Sequence, residues 1–144
     1  MNILIFIRHG EADAHNPGLS EAGITQMQKA GHYLHELFGH QKPLLVSSTG
    51  PCAQHGAKII SEELGISYEI YDGLLAKVPH DFSPDILPSR YPAIVVTRGA
   101  YISLAAQHFA KMFDFENPIT EVVKGASFAL ICNFDNRTFA KVDF

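Results

Sequence analysis

Asn2-Ile3-Leu4-Ile5-Phe6-Ile7-Arg8-His9-Gly10-Glu11 is the stretch that decides the fold. Residues 3–7 are all apolar and mostly β-branched or aromatic, with no polar alternation. That pattern belongs to a strand covered on both faces, as in a parallel sheet flanked by helices. The run stops abruptly at a cation, an imidazole, a glycine and a carboxylate. A buried strand is therefore expected to deliver chemically capable groups to the rim of a sheet.

Outward from this strand, α and β patterns alternate. Asn16-Pro17-Gly18 reads as a loop, and Ser20 is placed to cap a helix running to about Phe38, with Ile24, Met27, Ala30, Leu34 and Leu37 at helical spacing. Leu44-Leu45-Val46-Ser47 reads as a second buried strand. Gly50 and Pro51 open a further helix through Ile60 and Leu64, and Gly65 supplies its stop. Ser67 to Tyr71 reads as a short third strand. Residues 72–92 hold Pro79, Pro84, Pro88 and Pro92 and are expected to be irregular, with at most one short helix. Ala93-Ile94-Val95-Val96-Thr97 is another buried strand, followed by a helix from about Tyr101 to Met112, and Phe113 and Phe115 are read as core. Ala126 to Phe134 and Thr138 to Asp143 flank Asp135-Asn136, residues suited to a hairpin turn. The expected fold class is α/β: a three-layer α/β/α domain over residues 1–144, with a mostly parallel sheet, helices on both faces and a C-terminal antiparallel hairpin.

Composition bounds the function. In 144 residues, 47% hydrophobic and 18% charged residues describe a globular chain with one core. A formal net charge of -4 offers no basic footprint, which argues against a nucleic-acid partner. Cys52 and Cys132 are too few and too far apart for a disulfide framework, and the eight histidines show no zinc-site spacing. No apolar run reaches membrane-span length, so no membrane partner is expected, and the apolar start is too short for a signal-peptide core. A cytoplasmic location and no cofactor or metal are the expectations.

Ligands of open α/β sheets bind beyond the carboxyl ends of the strands. Three strand-to-helix junctions would present Arg8-His9-Gly10-Glu11, Ser47-Ser48-Thr49-Gly50-Pro51-Cys52 and Thr97-Arg98-Gly99 at that rim. Two arginines, a histidine, hydroxyls and helix-start N–H groups suit an anion. Other readings stand beside this one. Arg98 could pair with Glu11 or Asp13, Cys52 reads as an inert, partly buried thiol, and His32, His35, His40 and His108 read as helix-surface or loop residues.

The chain resembles the histidine phosphatase (phosphoglycerate mutase-like) superfamily. The resemblance rests on the Arg8-His9-Gly10-Glu11 strand end, on Leu19-Ser20-Glu21-Ala22-Gly23, on Ser47-Ser48 before a helix, on Ala93 to Gly99, and on Gly125-Ala126-Ser127-Phe128-Ala129-Leu130. In size the chain is most similar to the small bacterial phosphohistidine phosphatases. The resemblance implies that His9 is the catalytic nucleophile, becoming a phosphohistidine, and that Arg8 is the first phosphate-binding arginine. It also implies departures. Cys52 stands where the family has a second arginine, Arg98 where it has a second histidine, and no carboxylate falls near Ala76 or Lys77, where an acid is common. His15, His55 and His80 are candidate stand-ins for the missing histidine.

Loss of one transition-state donor costs about a hundred- to a thousandfold in rate. The expected function is therefore a degenerate histidine phosphatase-fold protein. It would bind a phosphorylated small molecule or phosphoprotein through Arg8, His9 and Arg98, with little or no turnover. The alternative is an active phosphohistidine phosphatase or small phosphomonoesterase working through phospho-His9. A purely structural domain is a third reading, which retention of Arg8 and His9 disfavours.

Overall fold

The computed structural model describes residues 2–76, 78–115 and 127–144. β1 (Ile3–Arg8) has five consecutive buried residues, as its unbroken apolar run requires. Its two faces feed two cores. Ile3, Ile5 and Ile7 pack with Met27, Leu34 and Ile60 of α1 (Glu21–Phe38) and α2 (Pro51–Leu64). Leu4 and Phe6 pack with Tyr101, Ala105 and Phe109 of α3 (Gly99–Met112) on the opposite side. Helices therefore cover both faces.

β2 (Leu44–Ser47), β3 (Glu69–Ile70), β4 (Ala93–Thr97), β5 (Phe128–Asn133) and β6 (Thr138–Asp143) complete a six-stranded sheet in the order β3-β2-β4-β1-β5-β6. β3, β2, β4 and β1 run parallel, and β5 pairs antiparallel with both β1 and β6. The register sets Arg8 opposite Thr97 and Ser47 opposite Val96, so the three junctions after β1, β2 and β4 leave the sheet side by side. At its margins β3 is only two residues long, and β6 carries Lys141 and Asp143, whose side chains lie 3.4 Å apart.

Local signals act as expected at most ends. Ser20 Oγ accepts from Gly23 N at 3.1 Å, capping α1. Gly65 closes α2 at φ 65°, and Pro51 opens it. Residues 72–92 hold two short 3-10 turns, Pro79–Asp81 and Pro84–Ile86, rather than at most one. α3 starts at Gly99, earlier than its apolar pattern suggested, because Arg98 takes the extended cap conformation. Phe115 is buried, but Phe113 is 46% exposed, so only one of the pair is core. Asp114 between them sits at φ 55°, which turns the chain as the helix ends. The hairpin turn spans residues 134–137, and its positive-φ residue is Arg137. Asn133 Oδ1 holds that turn by accepting from Asp135 N at 3.0 Å and Asn136 N at 3.3 Å. The positions read at Lys77, Gly125 and Ala126 lie outside the described residues.

One crossing ties the rim to the helices. The loop after β1 lies directly on the first turn of α1. A Cβ on Gly10 would stand 2.7 Å from Gly23 Cα, and one on Gly23 would stand 2.8 Å from Glu11 N. Glycine-to-alanine inside a helix ordinarily gains about 0.5–1 kcal/mol. Here the sign reverses, because rigid backbone rather than a movable side chain opposes the methyl. Gly23→Ala is expected to lose about 2–3 kcal/mol, a Tm drop of roughly 5–10 °C by calorimetry; an unchanged or higher Tm would contradict this packing.

Candidate active site

His9 stands just past the end of β1, and its backbone N donates to Thr97 O of β4 at 3.2 Å. Its ring Nδ1 lies 2.9 Å from Gly10 O. A carbonyl only accepts, so Nδ1 carries the proton and the Nε2 lone pair is left for chemistry. Burial is the main cause holding the imidazole below its ordinary pKa of 6.5; the Gly10 bond acts in the opposite direction, and the charges of Arg8 and Arg98 add to the lowering. The side chain is thus neutral near pH 7, the state a nucleophilic nitrogen needs.

Two clefts flank this ring. The larger, of about 490 Å³, is lined by Arg8, His9, Gly10, Glu11, Ala12, Gln26 and Ser127. The smaller, of about 190 Å³, is lined by residues of the α2 start together with His9, Ser48, Leu75 and Arg98. The structure therefore brings Arg8, His9 and Arg98 to one rim, with His9 lining both clefts. Ser127 Oγ donates to Arg8 O at 2.7 Å and anchors the end of β1.

The alternatives for single residues resolve differently. Glu11 accepts from Ser20 Oγ at 2.9 Å, and Asp13 accepts from His15 N at 2.8 Å and Asn16 N at 2.9 Å. Neither carboxylate makes an ion pair with Arg98 among the described residues. Cys52 Sγ donates to Gly18 O at 3.2 Å, and burial pushes its thiol pKa up, so the thiol stays protonated. His55 Nδ1 accepts from Leu19 N at 3.1 Å and braces the loop before α1. His15 and His80 are exposed, and His80 sits 3.3 Å from Asp81. None of the three lines either cleft beside His9. His108 is not a plain surface residue; it packs in an aromatic group with Phe82, Phe109 and Phe113.

Gln26 was not visible as a site residue. Its Oε1 accepts from Glu11 N at 2.9 Å, a tertiary contact with no local sequence signal. Among the described residues no cluster of His, Cys, Asp or Glu could hold a metal ion, and no helix is long and apolar enough to cross a membrane.

Residues 4–75 match the model of the histidine phosphatase superfamily, branch 1. The chain belongs to that family. No curated protein matches it by sequence. Solved structures do match in shape over nearly the whole chain. A protein assigned as the phosphohistidine phosphatase SixA from Agrobacterium tumefaciens superposes with TM-score 0.70 at 16% identity, covering 99% of this chain and 97% of that one. The mycobacterial glucosyl-3-phosphoglycerate phosphatase in complex with VO3 gives 0.65 at 15% identity, covering 100% and 99%. Phosphoglycerate mutase from Plasmodium falciparum gives 0.60 at 17% identity, covering 99% and 89%. At such identities the likeness is one of fold. Arg8-His9-Gly10, at the end of β1, lies within the matched residues.

The lowered His9 pKa has a stability consequence with a definite sign. In the unfolded chain the imidazole takes up a proton near pH 6.5, whereas the folded protein resists protonation until lower pH. The folded state then binds fewer protons, so stability rises with pH through this window. The His9 contribution is complete above about pH 6.5 and is lost as pH falls through the folded value. His9→Asn should flatten the stability–pH curve below pH 6.5, measured by denaturant unfolding, and imidazole NMR should place the wild-type midpoint below 6.5. A midpoint at or above that value would contradict the burial of this ring.

Proposed function

We propose that this protein is a degenerate histidine phosphatase-fold protein that binds a phosphorylated ligand or partner with little or no phosphatase activity. In this reading Arg8, His9 and Arg98 hold the phosphoryl group. One observation carries it: a partly buried, neutral imidazole lines the clefts of both Arg8 and Arg98, and both positive charges act on it. An anion placed there offsets the repulsion that would accompany protonation of His9. Cys52, by contrast, is neutral and engaged with Gly18 O, at the place where the resemblance puts a second arginine. Catalysis needs donors that strengthen as charge develops on phosphorus, and loss of one such donor costs about a hundred- to a thousandfold.

A second reading has an observation of its own. The Nδ1–Gly10 O bond leaves the Nε2 of His9 unprotonated, the arrangement that attack on phosphorus requires. On this ground a slow phosphohistidine phosphatase or phosphomonoesterase acting through phospho-His9 is the alternative. A cytoplasmic location fits either.

Binding and turnover separate these readings. Inorganic phosphate or vanadate should raise the Tm of the wild type by mass action, and Arg98→Ala should weaken that binding by about tenfold or more, the value of a charged hydrogen bond. Wild type showing no anion-dependent stabilisation up to roughly tens of millimolar, the weak end of useful affinity, would remove the anion-binding reading altogether.

Hydrolysis of p-nitrophenyl phosphate should run at least about a thousandfold slower than in a relative with the full set of phosphate ligands. Fast turnover that vanishes in His9→Ala would replace the degenerate reading by the enzymatic one.

A further inference from the structure

The smaller cleft contains an unusual pair of loose ends. Ser48 is 1% exposed, yet its hydroxyl has no hydrogen-bond partner. A buried hydroxyl without a partner is costly, and an acceptor entering the cleft would give it one. Beside it, α2 begins without a side-chain cap. The cap residue is Gly50, Pro51 has no N–H, and the next two N–H groups belong to Cys52 and Ala53, which line the cleft. Ser48 Oγ lies on this side of the loop, 3.8 Å from where a Cβ on Gly50 would be. Arg98 and His9 close the other side. Arg98, the Ser48 hydroxyl and the Cys52 and Ala53 N–H groups are the donors along this otherwise apolar lining, and the space of about 190 Å³ has room for one tetrahedral oxyanion.

We infer that Ser48 Oγ and the open N-terminus of α2 are ligands for the phosphoryl oxyanion, beside the neutral thiol of Cys52. This rests on the anion-binding reading above and adds to it which atoms do the holding. A fourteen-residue helix presents the positive end of its macrodipole and two free N–H groups to an anion, and the buried hydroxyl supplies a third donor. Unlike a guanidinium, these groups are fixed by the backbone. They favour a bound anion and offer no mobile cation to follow charge toward a leaving group, which fits retention of binding with loss of turnover.

Two substitutions with opposite chemistry test it, each read by Tm without ligand and by titration with inorganic phosphate or vanadate. Ser48→Ala removes the orphan hydroxyl, so the ligand-free protein should be as stable as wild type or more so, while phosphate affinity falls about tenfold or more. Gly50→Asp places a capping carboxylate at φ -65°, ψ 143°, a backbone any residue adopts. It should raise the ligand-free Tm by capping α2 and abolish the phosphate shift by filling the anion's place with like charge. Wild-type binding that persists unchanged in both variants would overturn the assignment while leaving the anion-binding reading intact. Wild type that binds neither anion would overturn both.

Discussion

The contact on which the rest of the site depends is the crossing of two backbones at Gly10 and Gly23. Neither residue has room for a methyl group, so the loop after β1 settles directly onto the first turn of α1. Several hydrogen bonds then lock the crossing. Glu11 O accepts from Ser20 N at 2.9 Å, the Glu11 carboxylate accepts from Ser20 Oγ, and Ser20 Oγ accepts from Gly23 N. The locked loop presents Gly10 O to His9 Nδ1 and so chooses which ring nitrogen keeps its lone pair. A tautomer at the site is thereby decided by steric contact between glycines that belong to different elements.

Sheet order supplies the second ingredient. Because β4 lies between β1 and β2, the ends of all three strands share a rim, and groups distant in sequence act on the same imidazole. Burial and two nearby cations both disfavour an imidazolium there. The family membership and the phosphatase-like fold of its structural neighbours place this motif in a familiar frame. The wall contributed by the start of α2 carries a neutral thiol bonded to Gly18 O.

Much of this was legible in the sequence because each element announces itself locally. The apolar run of β1 admits no solvent-facing side, Ser20 and Pro51 mark helix starts, and Gly65 marks a stop. Arg8, His9 and Arg98 could be expected at one rim because they follow the carboxyl ends of parallel strands. The failures share a cause, which is contact between residues far apart in the chain. His55 could be weighed as a spare imidazole only while its bond from Leu19 N was unseen. Gln26 shows nothing in its helix to suggest that it grips Glu11 N. Phe113 and Phe115 look alike in sequence, and the turn at Asp114 sends one inward and leaves the other half exposed. Ser48 was readable as a hydroxyl at a junction, but the lack of any partner for it emerges only once its surroundings are packed.

The margins of the sheet have a bearing on how this protein behaves in a crowd. A long, flat, apolar outer strand offers its unpaired backbone to any neighbouring chain and seeds aggregation. Here one margin is β3, too short to template a ladder, and the other is β6, studded with Lys141 and Asp143. Lys141 also lies 4.9 Å from the centre of the Phe128 ring, covering an aromatic that would otherwise invite a newcomer. The sheet is in this sense closed at both ends without being a barrel. The rim beyond the strand ends then stays open while copies of the chain are kept from stacking edge to edge.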